Sequence, residues 1–136
     1  MILADTSAWI EFLRGRGTPA HLELRSRLRV GDVAFTDPVQ MEVLAGARDR
    51  THLVELRRLF FSLAYLPVAG RDDWEDAASM FRAARRAGLT VRSQLDCLIA
   101  AVAVRTGTPL LHHDADFARL VTVADVPVAD GSLAAP

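Results

Sequence analysis

The sequence predicts an α/β protein, built on a mostly parallel central sheet with helices on both faces. Three observations carry that. Short apolar runs at residues 1–5, 33–35, 64–68 and 110–112 alternate with stretches whose apolar residues recur at helical spacing. Several of those stretches open on a capping residue or close on glycine. The stretch 94–105 is apolar nearly all round from Cys97 to Val104, which suits a central helix covered by the others. Short buried strands alternating with helices are the pattern of a parallel sheet.

Taken in order, residues 1–5 form a buried strand, and Thr6-Ser7 start a helix through Trp9, Ile10, Phe12 and Leu13 that Gly15 and Gly17 end. Thr18-Pro19 is a cap followed by proline at the first helical position, so a second helix runs to about Arg29. Gly31-Asp32 turns the chain into strand 33–35. Asp37-Pro38-Val39-Gln40 fits a capping box, which makes Asp37 a structural cap of helix 38–46. Helix 50–63 packs through Leu53, Leu56, Leu59, Phe60 and Leu63. It carries a second apolar stripe, Val54 and Phe61, of the kind a partner covers. Strand 64–68 precedes helix 72–87, whose expected core face is Trp74, Ala77, Ala78, Phe81 and Ala84. Its acids lead and its arginines close, matching the helix dipole, and Gly88 stops it. Asp114 starts a short helix with Phe117 and Leu120. Val121-Thr122-Val123 reads as a last strand, and residues 130–136 as a frayed tail.

The length of 136 residues suits one domain, residues 1–136, with a real hydrophobic core. A single cysteine, Cys97, excludes an internal disulfide and reads as a small buried thiol. No signal peptide and no membrane-spanning run is expected, so the setting is cytoplasmic. The net charge of −1 does not advertise nucleic acid. All 16 basic residues are arginine, whose planar fork suits phosphate, although such composition also follows from GC-rich coding.

Four acids sit where an acid is locally awkward. Asp5 ends an apolar strand, Glu42 interrupts Val39, Met41, Val43 and Leu44, Asp96 opens the central helix, and Asp114 follows Leu110-Leu111-His112-His113. Asp116 stands beside the last. Ligands of an open parallel sheet sit beyond the carboxyl ends of its strands, where Asp5 and Asp114 are expected. Two carboxylates about 4 Å apart repel by roughly 4 kcal/mol at an effective dielectric of about 20, and a divalent cation is the usual relief. Oxygen ligands of this kind suit Mg²⁺ or Mn²⁺. Each acid also has a plain structural reading. Asp5 and Asp114 serve as helix N-caps, Asp96 completes a capping box with Ser93, and Glu42 reaches solvent. His112 and His113 read as core groups or as supports to a site rather than as ligands.

Absences narrow the class. The chain has no lysine, which phosphate-accepting receiver domains and haloacid-dehalogenase-type phosphatases use. Ser7 stands where the phosphatase pattern has a second aspartate. There is no Walker loop, no dinucleotide fingerprint and no Cys/His zinc pattern.

Four segments together resemble the PIN-domain ribonucleases, specifically VapC-type toxins of bacterial toxin–antitoxin pairs. They are Asp5-Thr6-Ser7-Ala8-Trp9, the helix from Pro38 to Gly46, the segment from Thr90 to Ala101, and His113-Asp114-Ala115-Asp116-Phe117. The resemblance covers essentially the whole chain. It implies a three-layer α/β/α sandwich and Mg²⁺- or Mn²⁺-dependent endoribonuclease activity, with transfer RNA among the plausible substrates. It maps Asp5, Glu42, Asp96 and Asp114 onto the family's acidic quartet and Asp116 onto an additional acid. Asp5, Asp96, Asp114 and Asp116 are then the metal-ligand candidates, and Arg92 and Ser7 candidate RNA contacts. It further implies a VapB-type antitoxin and a homodimer. Two other functions fit the residues: an interaction module acting through its antitoxin complex, and a DNA-directed nuclease of the same fold.

Overall fold

The structure is a computed structural model and describes residues 1–135. Four strands form one sheet: β1 (Ile2–Ala4), β2 (Val33–Phe35), β3 (Ala64–Tyr65) and β4 (Leu110–Leu111). Their order is β3-β2-β1-β4, and every pairing is parallel. Ile2, Leu3 and Ala4 of the inner strand β1 are fully buried, as expected of a parallel strand covered on both faces. The chain steps outward from β1 to β2 to β3, then returns to the opposite flank of β1 as β4. The strand order therefore reverses between β1 and β4, and this marks the crevice position of an open parallel sheet, beyond the carboxyl ends of the two strands.

Among the described residues, seven helices flank the sheet: α1 (Thr6–Leu13), α2 (Pro19–Arg29), α3 (Asp37–Ala45), α4 (Arg50–Phe61), α5 (Gly70–Arg86), α6 (Gln94–Thr106) and α7 (Ala115–Leu120). α5 lies along α6, α1 packs on α2, and α3 touches α1, α4 and α6. Local chemistry sets their starts. Thr18 accepts from the His21 N–H ahead of Pro19, and Asp49 accepts from the His52 N–H. α6 is central, as its sequence indicates: Cys97 through Ala103 are all buried, and Gly107 ends it in the left-handed region at φ 63°. On the other side Trp9 is buried against Phe60, with ring centroids 5.2 Å apart.

The structure corrects four local expectations. On α5 it buries Asp73 and leaves Trp74 58% exposed. Asp73 accepts from Arg105 Nε at 2.9 Å and from the Ala69 N–H at 2.7 Å, so the carboxylate joins α5 to α6 and closes the loop before α5. Asp37 does not cap its own helix; Thr36 holds the N-cap position without a side-chain bond. The Asp37 carboxylate instead accepts from the Tyr65 hydroxyl and the Val68 N–H, tying α3 to the end of β3. Residues 121–123 are not a strand, because Val121 and Val123 donate back to Phe117 and Leu120 and merely close α7. The extra sheet contact comes later, as an isolated parallel bridge between Leu110 and Val128. Finally, Gly131 to Leu133 are tied down where the frayed tail was expected to begin, while Pro136 of that tail lies outside the described residues. Leu133 N–H donates to the His112 carbonyl, and Gly131, at φ 88°, lies so close to Glu23 that a Cβ there would sit 2.9 Å from that side chain.

Asp73→Ala removes a buried acceptor and strands both partners. Arg105 is about one-third exposed, so water recovers part of the loss. The expected destabilisation is roughly 2–4 kcal/mol in urea unfolding, with a loss below about 0.5 kcal/mol contradicting the structural role.

Candidate active site

Each acid is placed by a short-range cause. Asp5 follows β1 directly and caps α1: its Oδ2 accepts from the Ser7 N–H at 2.9 Å and the Ser7 hydroxyl at 2.6 Å. Asp114 follows β4 and caps α7, accepting from the Asp116 N–H at 2.6 Å. Ser7 links the two strand ends, because its hydroxyl also accepts from the His113 N–H at 2.9 Å. Glu42, on α3, is drawn to the start of α1 by the Thr6 hydroxyl, which donates to it at 2.9 Å. Asp96 lies in the first turn of α6, and no capping box forms there: Ser93 makes no side-chain cap bond. Asp5 and Asp114 are thus helix caps and acids of the crevice at once.

Burial and mutual repulsion perturb two of these groups. Burial pushes Asp5 up to about 6, against bonds from Ser7 and Thr6 that pull it down, with the Glu42 charge adding to the rise. Asp96 is pushed up to about 8, first by burial and then by the charges of Asp5, Asp114, Glu42 and Asp116. Four side chains, from the start of α1, from α3 and from the start of α7, therefore act on one carboxyl. Asp116 behaves differently. Burial pushes it up, but bonds from the Arg92 side chain and backbone and the charge of Arg119 outweigh that and hold it below the usual range.

A PIN-domain family model matches residues 2–122. The chain belongs to the PIN-domain family. Ribonuclease VapC11 of Mycobacterium tuberculosis is 44% identical over 131 residues, covering 95% of this chain and 98% of that protein. Ribonuclease VapC18 of the same organism is 32% identical over 126 residues, covering 90% and 89%. The DNA-bound VapBC structure from Salmonella typhimurium superposes with a TM-score of 0.71 at 17% identity, over 96% of this chain and 98% of that one, which speaks for the fold. No helix among the described residues is long and apolar enough to cross a membrane.

In this PIN domain the donor set fits a hard divalent cation. The acids are oxygen donors only, and burial and the neighbouring carboxylates disfavour the charged form of Asp96, which a bound cation would favour. Among the described residues, no group of three His, Cys, Asp or Glu side chains is placed to hold a metal ion. A cation that keeps several waters can be held through few direct carboxylate bonds. His112 is buried, stacked on Phe117, and pushed down to about 4 mainly by burial, so it is a neutral core group. His113 pairs through Nε2 with Glu11 at 3.1 Å. Ser7 has its hydroxyl committed between Asp5 and His113, and Arg92 binds Asp116.

Sequence reasoning missed three neighbours. Thr6 orients Glu42, and the only signal was its place between Asp5 and Ser7. Glu11 is buried near the site, meeting His113 and Arg16, and reads in sequence as one polar turn of an amphipathic helix. Arg119 holds Asp116 at 3.0 Å, a contact visible in sequence only as an i,i+3 spacing.

The raised carboxyls carry a sign for stability. Between the unfolded value of 3.8 and the folded values of about 6 and about 8, the native state binds more protons than the unfolded chain. Stability from this source is full below the unfolded value and is lost as pH rises through the folded ones. In EDTA the melting temperature should fall between about pH 5 and 8, and Asp96→Asn should flatten the fall and raise the value at the upper end by roughly 3–8 °C. A wild-type melting temperature that is flat or rising across that window contradicts the repulsion.

Proposed function

We propose that this PIN domain is a metal-dependent endoribonuclease toxin whose active site is the acidic crevice beyond β1 and β4. One observation carries the reading: Asp96 is raised to about 8 by burial together with the charges of Asp5, Asp114, Glu42 and Asp116, so acids far apart in sequence share one electrostatic centre. The relatives named ribonuclease, one of them 44% identical across nearly the whole chain, supply the substrate class.

Asp5, Asp96 and Asp114 would hold Mg²⁺ or Mn²⁺. When bound, such an ion lowers the pKa of water and neutralises charge on the attacked phosphate. The chain's own groups do the rest. Ser7 fixes the orientation of Asp5 and the position of the β4 end, so the two strand-end carboxylates keep their spacing. Thr6 aims Glu42, which orients the attacking water and accepts its proton. His112 and His113 are committed elsewhere, so no histidine pair here takes the proton of a ribose 2′-hydroxyl. Hydrolysis therefore leaves a 5′-phosphate and a 3′-hydroxyl.

The same reading includes a VapB-type antitoxin and a second copy of the chain, in a cytoplasmic setting. The fold supplies surface for such contacts: Phe61 on α4 is 95% exposed beside Val54, and Met41 and Trp74 stand open on α3 and α5.

Asp5→Asn and Asp96→Asn should each reduce RNA cleavage by partner-free protein at least about 100-fold with the far-ultraviolet spectrum unchanged. EDTA should do the same to wild type, and millimolar Mg²⁺ should raise its melting temperature. Cleavage persisting in the variants, or ends carrying a 2′,3′-cyclic phosphate, refutes the mechanism. Single-stranded DNA cut as readily as RNA moves the substrate class.

A further inference from the structure

Asp116 is the acid that behaves unlike the rest. It is 3% exposed, and both of its oxygens are occupied. Oδ1 accepts from Arg119 Nη1 at 3.0 Å; Oδ2 accepts from Arg92 Nε at 3.0 Å and from the Arg92 backbone N–H at 3.2 Å. A cation seeking this carboxylate meets two guanidinium groups already there. Each guanidinium gives Asp116 a single side-chain N–H, so each keeps donors to offer elsewhere. Two positive charges face one negative charge, which leaves the cluster net positive. The cluster opens on a cleft of about 440 Å³ between the Gly88–Thr90 turn and α7, with Arg92, Asp116 and Arg119 in its wall. The Arg92 side chain is 77% exposed, and the charges of Asp114 and Asp96 also act on it, so the cleft adjoins the acidic crevice. Arg92 also lines the neighbouring cleft of about 660 Å³ along α5 and α6, where Arg82 and Arg85 stand.

We infer that Arg92 and Arg119, held on the two oxygens of the buried Asp116, form a clamp for an RNA backbone phosphate flanking the scissile one. Asp116 is then a positioning residue rather than a metal ligand. The inference rests on the ribonuclease reading for its substrate class. The acids would repel a polyanion approaching the crevice. A net-positive cluster at its edge offsets that repulsion where the flanking strand must pass, and the arginine fork matches phosphate geometry. The carboxylate between the two guanidinium groups keeps them from drifting onto the catalytic acids, which would otherwise compete for them.

The test separates RNA affinity from metal affinity. Binding of a fluorescent oligoribonucleotide of mixed sequence is followed by anisotropy in EDTA, and Mn²⁺ binding by calorimetry without RNA. Arg92→Ala and Arg119→Ala should each weaken RNA binding about tenfold and reduce the slope of log affinity on log salt by roughly 0.7, the loss of one phosphate contact on a single strand. In cleavage the effect should fall on KM rather than on kcat. Asp116→Asn should leave Mn²⁺ affinity within about twofold and raise KM in wild type but not in the Arg92→Ala/Arg119→Ala double variant. Unchanged RNA affinity and salt slope in both arginine variants overturns the clamp, as does a tenfold loss of Mn²⁺ affinity in Asp116→Asn. The exposed Arg92 keeps the test open should Asp116→Asn fold poorly. Wild type that cleaves RNA with KM unmoved by the arginine changes sinks the clamp alone. Wild type that neither binds nor cleaves RNA sinks the ribonuclease reading first.

Discussion

Acids gathered at one partly buried centre are the constraint on which this molecule turns. Asp5 is 3% exposed at the end of a buried strand, and Asp96 is opposed by four other carboxylates. The isolated chain gains nothing in stability from that arrangement. It persists because the rest of the fold over-determines it. Parallel pairing puts β1 between β2 and β4, so Asp5 and Asp114 must emerge at the same edge. The apolar shell of α6, buried from Cys97 to Ala103, fixes the register that brings Asp96 to the crevice. The core thereby holds the site in a geometry its electrostatics alone would reject, which is the usual relation between a rigid scaffold and a functional centre.

Around that centre, polar groups divide by task. Ser7 and Thr6 spend their hydroxyls on Asp5 and Glu42, so the start of α1 is an orienting device for two acids at once. Asp73 with Arg105 and Asp37 with Tyr65 fasten helices and loops away from the crevice. Asp116 belongs to neither group: its charge is spent on Arg92 and Arg119.

Much of the fold was legible because hydrophobic burial writes it locally. The short apolar strands, the proline-started α2 and the all-apolar α6 each carry their own pattern. Asp5, Glu42, Asp96 and Asp114 stood out for the converse reason, since an acid beside an apolar run needs a cap, a partner or a cation; Asp5 and Asp114 turn out to be caps, and the catalytic role of the four is a proposal. What failed were choices settled by partners distant in sequence. Trp74 looks like core and Asp73 like surface until Arg105, 32 residues away, supplies the ion pair that reverses them. Asp37 reads as a cap until Tyr65 arrives at its carboxylate. Val121-Thr122-Val123 has the composition of a strand, yet the return bonds that close α7 take its N–H groups first. Asp116 was set apart only as an additional acid, because nothing local marks Arg92, 24 residues away, as its partner.

The central claim is that carboxylates from separate elements oppose one another's charge until a divalent cation joins them. The most direct measurement is a carbon-13 NMR titration of the Asp96 side-chain carboxyl, with and without Mg²⁺. The account predicts titration near pH 8 in the metal-free protein and a shift to well below 4 when Mg²⁺ is added. Titration near the ordinary value of 3.8 in both conditions would contradict it.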